Sequence, residues 1–313
     1  MRIVYMGSPE LAVFPLEQLL NNGHHIAAVY TRPDKPAGRG MEILATPVKK
    51  AAQTWNLPVV QVSSLKQPDA VMQLAAFKPE AIVVAAFGQL LPQMVLDIPT
   101  YGCLNIHPSL LPKYRGASPV VSTILNGDQF AGVSVMRLDS GMDSGPVFMR
   151  AQVPVLSFDT SDTLTPRLFR IGAQMLLETL AELPSGKFIP ESQNNALASV
   201  TSEIVREAAK IDWHLTAVEI GRMVRAYQPW PEAYTSWQGK QITIKMALPL
   251  PATEDLAVGK TIALPKNAAG AAFAVSTGSG LLGVISLQIT GKKTMSSAEF
   301  LRGQRDFIGT VLV

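Results

Sequence analysis

Through the first two thirds of the chain, short apolar runs alternate with longer amphipathic stretches. The runs Ile3–Met6, Ile26–Tyr30, Val59–Gln61, Ala81–Ala86, Cys103–Ile106, Val133–Leu138 and Val147–Val153 predict strands. Helical spacing between and after them predicts helices over Leu11–Leu20, Pro47–Trp55, Val71–Phe77, Val120–Leu125 and Pro166–Leu180. Thr46-Pro47 is a helix start, a hydroxyl at the cap followed by proline in the first turn. The run Ala81-Ile82-Val83-Val84-Ala85-Ala86 is apolar without alternation, as in a sheet covered by helices on both faces. Strands alternating with helices in this way predict an α/β fold with a doubly wound, mostly parallel sheet of Rossmann type. Ligands of such sheets bind beyond the carboxyl ends of the strands. Phe87-Gly88-Gln89 and Asn105–His107 fall at such ends.

The pattern then changes. Pro184-Ser185-Gly186 through Asn194-Asn195 is polar, rich in turn residues and weakly periodic. Thr216-Ala217-Val218-Glu219 is a capping box opening a helix to about Tyr227, and Ser296-Ser297-Ala298-Glu299 caps a last short helix. Short strands are expected at Ala233–Trp237, Ile242–Met246, Thr261–Leu264, Ala272–Val275 and Leu281–Gln288. Five short strands in this space fit a small β-barrel such as an OB-fold. The expected organisation is a first domain over 1–189, a linker over 190–207, and an OB-fold-like domain over 208–313.

Bulk properties narrow the class. A chain of 313 residues suits two domains. No stretch reaches the roughly 18 uncharged apolar residues of a membrane span. The beginning, Met1 to Gly7, reads as a first strand rather than a signal peptide. One cysteine, Cys103, excludes an internal disulfide and a multi-Cys zinc site, and the expected location is cytoplasmic. Cys103 stands beside Asn105 and His107, so a catalytic thiol has to be weighed against a small buried apolar residue; the second reading is the favoured one. The net charge of +3 says little, but its distribution says more. From Ile204 onward there are 12 Lys and Arg against 8 Asp and Glu, and before it 15 against 16. A polyanionic partner for the C-terminal third follows from that excess.

The chemistry concentrates in Asn105-Ile106-His107. Residues at i and i+2 of a strand face the same side, so a neutral amide donor and an imidazole can converge on one atom. A developing oxyanion and a moving proton call for that pair of groups. Asp143, in the glycine-bracketed loop Asp139-Ser140-Gly141-Met142-Asp143-Ser144-Gly145, can reach and orient the imidazole. No metal-ligand cluster and no nucleophilic Ser or Cys box competes, so no metal is expected.

One Asn and one His at a strand end are weak alone, but their setting is specific. Asn105-Ile106-His107-Pro108-Ser109-Leu110-Leu111-Pro112-Lys113-Tyr114-Arg115-Gly116, followed by Asp139 to Gly145, closely resembles the 10-formyltetrahydrofolate-dependent formyltransferases over nearly the whole chain. The resemblance implies a catalytic triad of Asn105, His107 and Asp143, and a folate donor, 10-formyltetrahydrofolate, as cosubstrate. It places Ser109, Leu110, Leu111, Pro112 and Asp139 against the folate, with Phe87, Gly88, Gln89 and Leu90 supplying main-chain donors and apolar surface.

The acceptor amine is read from other features. His107-Pro108-Ser109 and Gly145-Pro146-Val147-Phe148 look at least as much like the members that formylate glycinamide ribonucleotide. Those members are single-domain and carry a phosphate-binding turn after the first strand. Here that turn is Gly7-Ser8-Pro9-Glu10, in which Pro9 lacks an amide donor and Glu10 adds an anion. Arg32-Pro33-Asp34-Lys35-Pro36-Ala37-Gly38-Arg39-Gly40 is similar to the insertion with which members acting on methionyl-tRNA enter the acceptor arm. Arg32, Lys35 and Arg39 would meet phosphates there. The C-terminal third resembles the tRNA-binding barrel of the same members, through Ile211-Asp212-Trp213, Arg222–Ala226, Gln228-Pro229-Trp230-Pro231 and Gly291-Lys292-Lys293. Arg222, Arg225, Lys292 and Lys293 are its expected RNA contacts, while Trp213, Trp230 and Trp237 are expected in the core. Initiator methionyl-tRNA is thus the expected partner, for a monomer that does not engage a membrane. A sugar-nucleotide N-formyltransferase, a glycinamide ribonucleotide formyltransferase and a non-catalytic RNA-binding protein stay open as alternatives.

Overall fold

The structure, a computed structural model, describes residues 1–37, 42–252, 256–265 and 269–313. The chain forms two compact units. Met1–Pro119, Phe130–Pro154 and Thr165–Ser202 make the first; Val120–Gln129, Val155–Leu164 and Glu203–Val313 make the second.

The first unit is organised by a seven-stranded sheet of β1 (Arg2–Gly7), β2 (His25–Thr31), β3 (Val59–Gln61), β4 (Ala81–Ala85), β5 (Cys103–His107), β6 (Phe130–Arg137) and β7 (Val147–Pro154). The order is β7-β6-β5-β4-β1-β2-β3. The run from β5 to β3 is parallel, and β6 and β7 continue it antiparallel. All seven apolar runs are therefore strands of one sheet. The central strands lack polar alternation because both faces are covered: Ile3, Val4, Tyr5 and Met6 of β1 and Ile82 and Val83 of β4 are fully buried.

Helices α1 (Val13–Asn21), α2 (Pro47–Thr54) and α3 (Pro68–Ala76) belong to the same unit. Lys49 N donates to the Thr46 hydroxyl at the start of α2, the cap that Thr46-Pro47 predicts. Two helices, α4 (Pro119–Asn126) and α5 (Ser161–Glu182), follow. α5 begins five residues before Pro166, the expected start, and keeps that proline inside. Thr160 accepts from Thr163 N, which caps the earlier turn, and the proline removes a single intrahelical bond. The stretch 190–202, expected within a linker, pairs with the first unit. Glu191 and Val147 exchange main-chain bonds, and Val200–Thr201 pairs in parallel with Arg115–Gly116.

In the second unit, α6 (Ala217–Ala226) starts at the Thr216/Glu219 capping box. An antiparallel sheet follows, of β8 (Tyr234–Trp237), β9 (Lys240–Leu250), β10 (Thr261–Ala263), β11 (Phe273–Ser276) and β12 (Leu281–Ile289), ordered β8-β9-β12-β11-β10. β9 outruns its expected range because Ala247–Leu250, which Pro249 makes look like a break, pairs with Leu281–Val284. The last residues close the curl. Thr261 N donates to Thr310 O and Leu312 N to Gly259 O on one edge, and Ser236 N to Val313 O on the other. The barrel is OB-fold-like, and α7 (Ser297–Gly303) starts at a second capping box. Trp237, Phe273, Phe300 and Phe307 meet in its core at centroid separations of 4.7 to 6.1 Å, edge to face except for the tilted pair Phe273–Phe300. Trp213 is also buried, whereas Trp230, expected there too, is 59% exposed because it sits in the turn between Pro229 and Pro231. Among the described residues no helix is long and apolar enough to cross a membrane.

Two groups buried in the first unit make alkaline stability testable. Tyr30 is fully buried and, among the described residues, its hydroxyl has no hydrogen-bond partner. Burial pushes its pKa up to about 12. The Cys103 thiol is also pushed up to about 12, by burial first and by the charge of Asp97 second. Unfolding returns these groups to their ordinary values of 10.0 and 9.0. Stability from both is therefore complete below about pH 9 and is lost as pH rises towards 12, by up to about 1.4 kcal/mol per pH unit per group. Denaturant midpoints measured across this range should stay flat and then fall. Tyr30→Phe should shallow the fall and, at neutral pH, leave stability unchanged or about 1 kcal/mol higher.

Candidate active site

β5 carries the two central side chains to the edge of the first unit's sheet. It lies between β4 and β6, with Asn105 opposite Val84 and Met136, and His107 opposite Ser134. Ile106 is 1% exposed, so Asn105 and His107 share the other face. The turn after the strand is clipped to β6: Ser134 Oγ donates to Ser109 O at 2.7 Å and accepts from Leu111 N at 3.2 Å. Ser109 is itself buried and its hydroxyl donates to Lys113 O at 2.7 Å. Leu111 sits in a small core with Met136 and Val147, and Leu110 covers Gly132. Of the stretch expected to line the folate, Ser109 and Leu111 thus spend their side chains on holding the turn.

His107 is almost wholly buried, and its two ring nitrogens have different neighbours. Nε2 lies 2.9 Å from Tyr114 O, to which it donates, and Nδ1 is 3.6 Å from Asp143 Oδ2. The same carboxylate oxygen accepts from Gly116 N at 2.8 Å. Gly116 has φ +96°, and a side chain there would start 2.5 Å from Thr201 O, so only glycine lets its amide reach Asp143. Asp139 closes its own loop by accepting from Gly141 N and from the Ser144 hydroxyl. Asn105 is half-buried and, among the described residues, its amide makes no hydrogen bond. The site therefore holds an available amide donor, an imidazole of fixed orientation and a carboxylate. That set suits acyl transfer to an amine, where a carbonyl oxygen gains charge while a proton moves.

The other expected residues divide. Phe87 is buried at the end of β4, Gly88 and Leu90 are exposed, and Gln89 Nε2 donates to Val62 O. Arg32, expected on RNA, instead donates from Nε to Phe87 O at 3.2 Å and from Nη2 to Gly88 O. Lys35 is exposed in a hairpin of Lys35–Ala37 and Glu42–Leu44. Arg39 lies outside the described residues. In the second unit, Arg225 donates to Asp159 O at 2.8 Å, and burial first, then neighbouring Arg222, lowers its pKa. Arg222 lies over Gly127. Lys292 and Lys293 are exposed in the turn after β12. Among the described residues no three His, Cys, Asp or Glu side chains gather as a metal ion requires.

Sequence reasoning missed Gln193. Its Nε2 donates to Asp143 O at 2.8 Å and to Gly145 O at 2.7 Å, while Oε1 accepts from the buried Arg115 guanidinium. A polar residue in a turn-rich stretch, fifty positions from Asp143, leaves no local signal.

The formyl transferase family matches residues 1–180, and its C-terminal domain matches residues 203–305. A methionyl-tRNA formyltransferase of Dehalococcoides mccartyi is 47% identical over 312 residues, covering 100% of this chain and 98% of the relative. A methionyl-tRNA formyltransferase of Roseiflexus is 45% identical, covering 97% and 93%. Among solved structures, HypX from Aquifex aeolicus in complex with tetrahydrofolic acid aligns with a TM-score of 0.66 at 19% identity. That alignment covers 98% of this chain and 48% of HypX, so the chain spans about half of it, and the likeness carries the fold alone.

Cys103, 1% exposed and holding its thiol proton until about pH 12, is no nucleophile at neutral pH. Cys103→Ala should keep full formyl-transfer activity, and iodoacetamide should leave the native thiol unlabelled. Rapid labelling with matching loss of activity would reverse the assignment.

Proposed function

Because this chain belongs to the formyl transferase family, we infer that it transfers a formyl group from 10-formyltetrahydrofolate to the α-amino group of methionine on initiator tRNA. One observation carries the acceptor: relatives of that name match at 43 to 47% identity across both units. The protein is a one-carbon transferase. We further propose that it acts in the cytoplasm, as a monomer.

10-Formyltetrahydrofolate supplies the formyl carbon. A flat heterocycle of that kind needs apolar surface and main-chain partners. Leu90, 67% exposed, and Met142, 50% exposed, offer apolar surface in the loops after β4 and before β7. Gly88 and Gln89 add main-chain groups in the first of these loops, and Arg32 braces that loop from its carbonyls.

Asn105 donates its amide to the formyl oxygen as negative charge grows there. His107, turned by Tyr114 O and Asp143, adds positive charge beside that oxygen when protonated. The amine nitrogen bonds to the formyl carbon while the bond from that carbon to the donor nitrogen breaks. Asp143 takes the proton released by the amine and returns it to the departing nitrogen. The product amide is neutral where the amine was basic. In the second unit, Lys292 and Lys293 are the exposed cations offered to RNA phosphates.

Purified protein incubated with 10-formyltetrahydrofolate and methionine-charged tRNA should yield formylmethionine. Formylation of an aminosugar nucleotide with none on charged tRNA would replace this reading. Asn105→Ala should lower kcat by about 10²–10³-fold, the usual loss for one oxyanion donor. His107→Ala should reduce turnover far more than tRNA affinity; equal losses would mark a structural histidine. Reversing charge at Lys292 and Lys293 should weaken tRNA binding and flatten its dependence on salt concentration. An unaltered salt slope would remove this turn from the interface.

A further inference from the structure

Asp143 faces His107 from a backbone at φ 48°, in the left-handed region. Aspartate tolerates that conformation better than most residues, but tolerance does not hold a loop in place. Two bonds do. Gly116 N fixes the carboxylate oxygen, and Gln193 fixes the main chain on either side of Ser144 through Asp143 O and Gly145 O.

The Gln193 amide can do this only in one orientation. Its Oε1 accepts from Arg115 Nε at 3.1 Å and Nη2 at 2.9 Å, which turns Nε2 towards the two carbonyls. Arg115 is 8% exposed and has no carboxylate partner among the described residues; its other guanidinium bond goes to Asn195 Oδ1. Its main chain is held as well, since Arg115 N donates to Ser199 O and the Thr201 hydroxyl to Arg115 O. The same stretch reaches the far side of the imidazole. Tyr114 N donates to Ser199 Oγ at 2.9 Å, and Tyr114 O is the acceptor of His107 Nε2. Residues 193–201 thus brace both neighbours of the ring.

We propose that Gln193 is a positioning residue for formyl transfer: with its amide oriented by Arg115, it holds the Asp143 loop so that the carboxylate faces His107. This rests on the reading of Asp143 as the proton-handling carboxylate. Glutamine is the residue type the geometry needs. One end must accept from a guanidinium and the other must donate to carbonyls, and glutamate can do only the first.

Gln193→Glu separates positioning from stability. It keeps the size of the side chain and strengthens the pair with Arg115, which offsets the loss of both bonds to the Asp143 loop, so the thermal midpoint should stay near wild type. In formylation assays on methionyl-tRNA, kcat should fall by about 10²-fold, the scale of a small misplacement of reacting groups. KM for the folate and for the tRNA should stay near wild type. The double variant with Asp143→Asn should be no slower than Asp143→Asn alone, because the two changes remove one function. A wild-type kcat in Gln193→Glu beside a slow Asp143→Asn overturns the role of Gln193 and leaves the site reading standing. Losses that multiply in the double variant also overturn it. A wild-type kcat in Asp143→Asn overturns both. Should Gln193→Glu not fold, Gln193→Met, which neither donates nor accepts at the amide position, decides the matter by the same kcat comparison.

Discussion

An imidazole that is to sit beside a developing charge must present each nitrogen to a known neighbour, and a histidine at the end of a strand has no such constraint of its own. Here Tyr114 O takes Nε2 and Asp143 Oδ2 faces Nδ1, with the ring almost wholly buried between them. Most of the surrounding structure serves that pair of neighbours. Tyr114 and Asp143 both adopt left-handed backbones, at φ 58° and 48°. Such conformations cost of order 1–3 kcal/mol for side-chain-bearing residues and persist only where neighbours over-determine them. The neighbours are the Ser134 clip on the turn after β5, the amide of Gly116 on the carboxylate, and the paired stretch around Ser199 and Thr201.

Asn105 is the counterpart of this over-determination. Both groups that face the His107 nitrogens are held in place by further bonds, while the Asn105 amide has no protein partner among the described residues. A fully buried unpaired amide costs about 1–3 kcal/mol, a penalty that a half-exposed position avoids through water. In the proposed reaction an oxygen gaining charge takes the place of that water. A donor already in place need not reorganise when the charge appears, which is the source of its catalytic value.

The sheet was legible because its signal is local. The central strands β1 and β4 are nearly unbroken apolar runs, and both capping boxes of the second unit lie within four residues of sequence. Asn105 and His107 were legible for the same reason, since period two alone puts them on one face. What escaped is non-local or reverses a local rule. Gln193 acts on residues about fifty positions away, from a stretch whose composition reads as linker. Trp230 is aromatic enough to be expected in the core, yet prolines on both sides hold it in an exposed turn. Pro249 reads as a break, but β9 runs through it because its partner strand is long. Arg32 and Arg225 look like free cations in the sequence, and only the fold supplies the carbonyls they serve.

Those two arginines bear on how RNA would be engaged. A guanidinium that braces a carbonyl from a half-buried position is poorly placed to follow a mobile phosphate. Lys35, Lys292 and Lys293 are instead exposed. Lysine acts on phosphate as a point charge without the planar fork that fixes register, so such contacts give affinity without reading bases. If initiator tRNA is distinguished from other tRNAs, the distinction must then lie elsewhere. The geometry around His107 adds a constraint of its own, because each brace fixes a protein carbonyl or carboxylate and none depends on the acceptor. In the proposed mechanism the reacting groups are in register before RNA arrives, and selection acts on whether the amine is delivered to them.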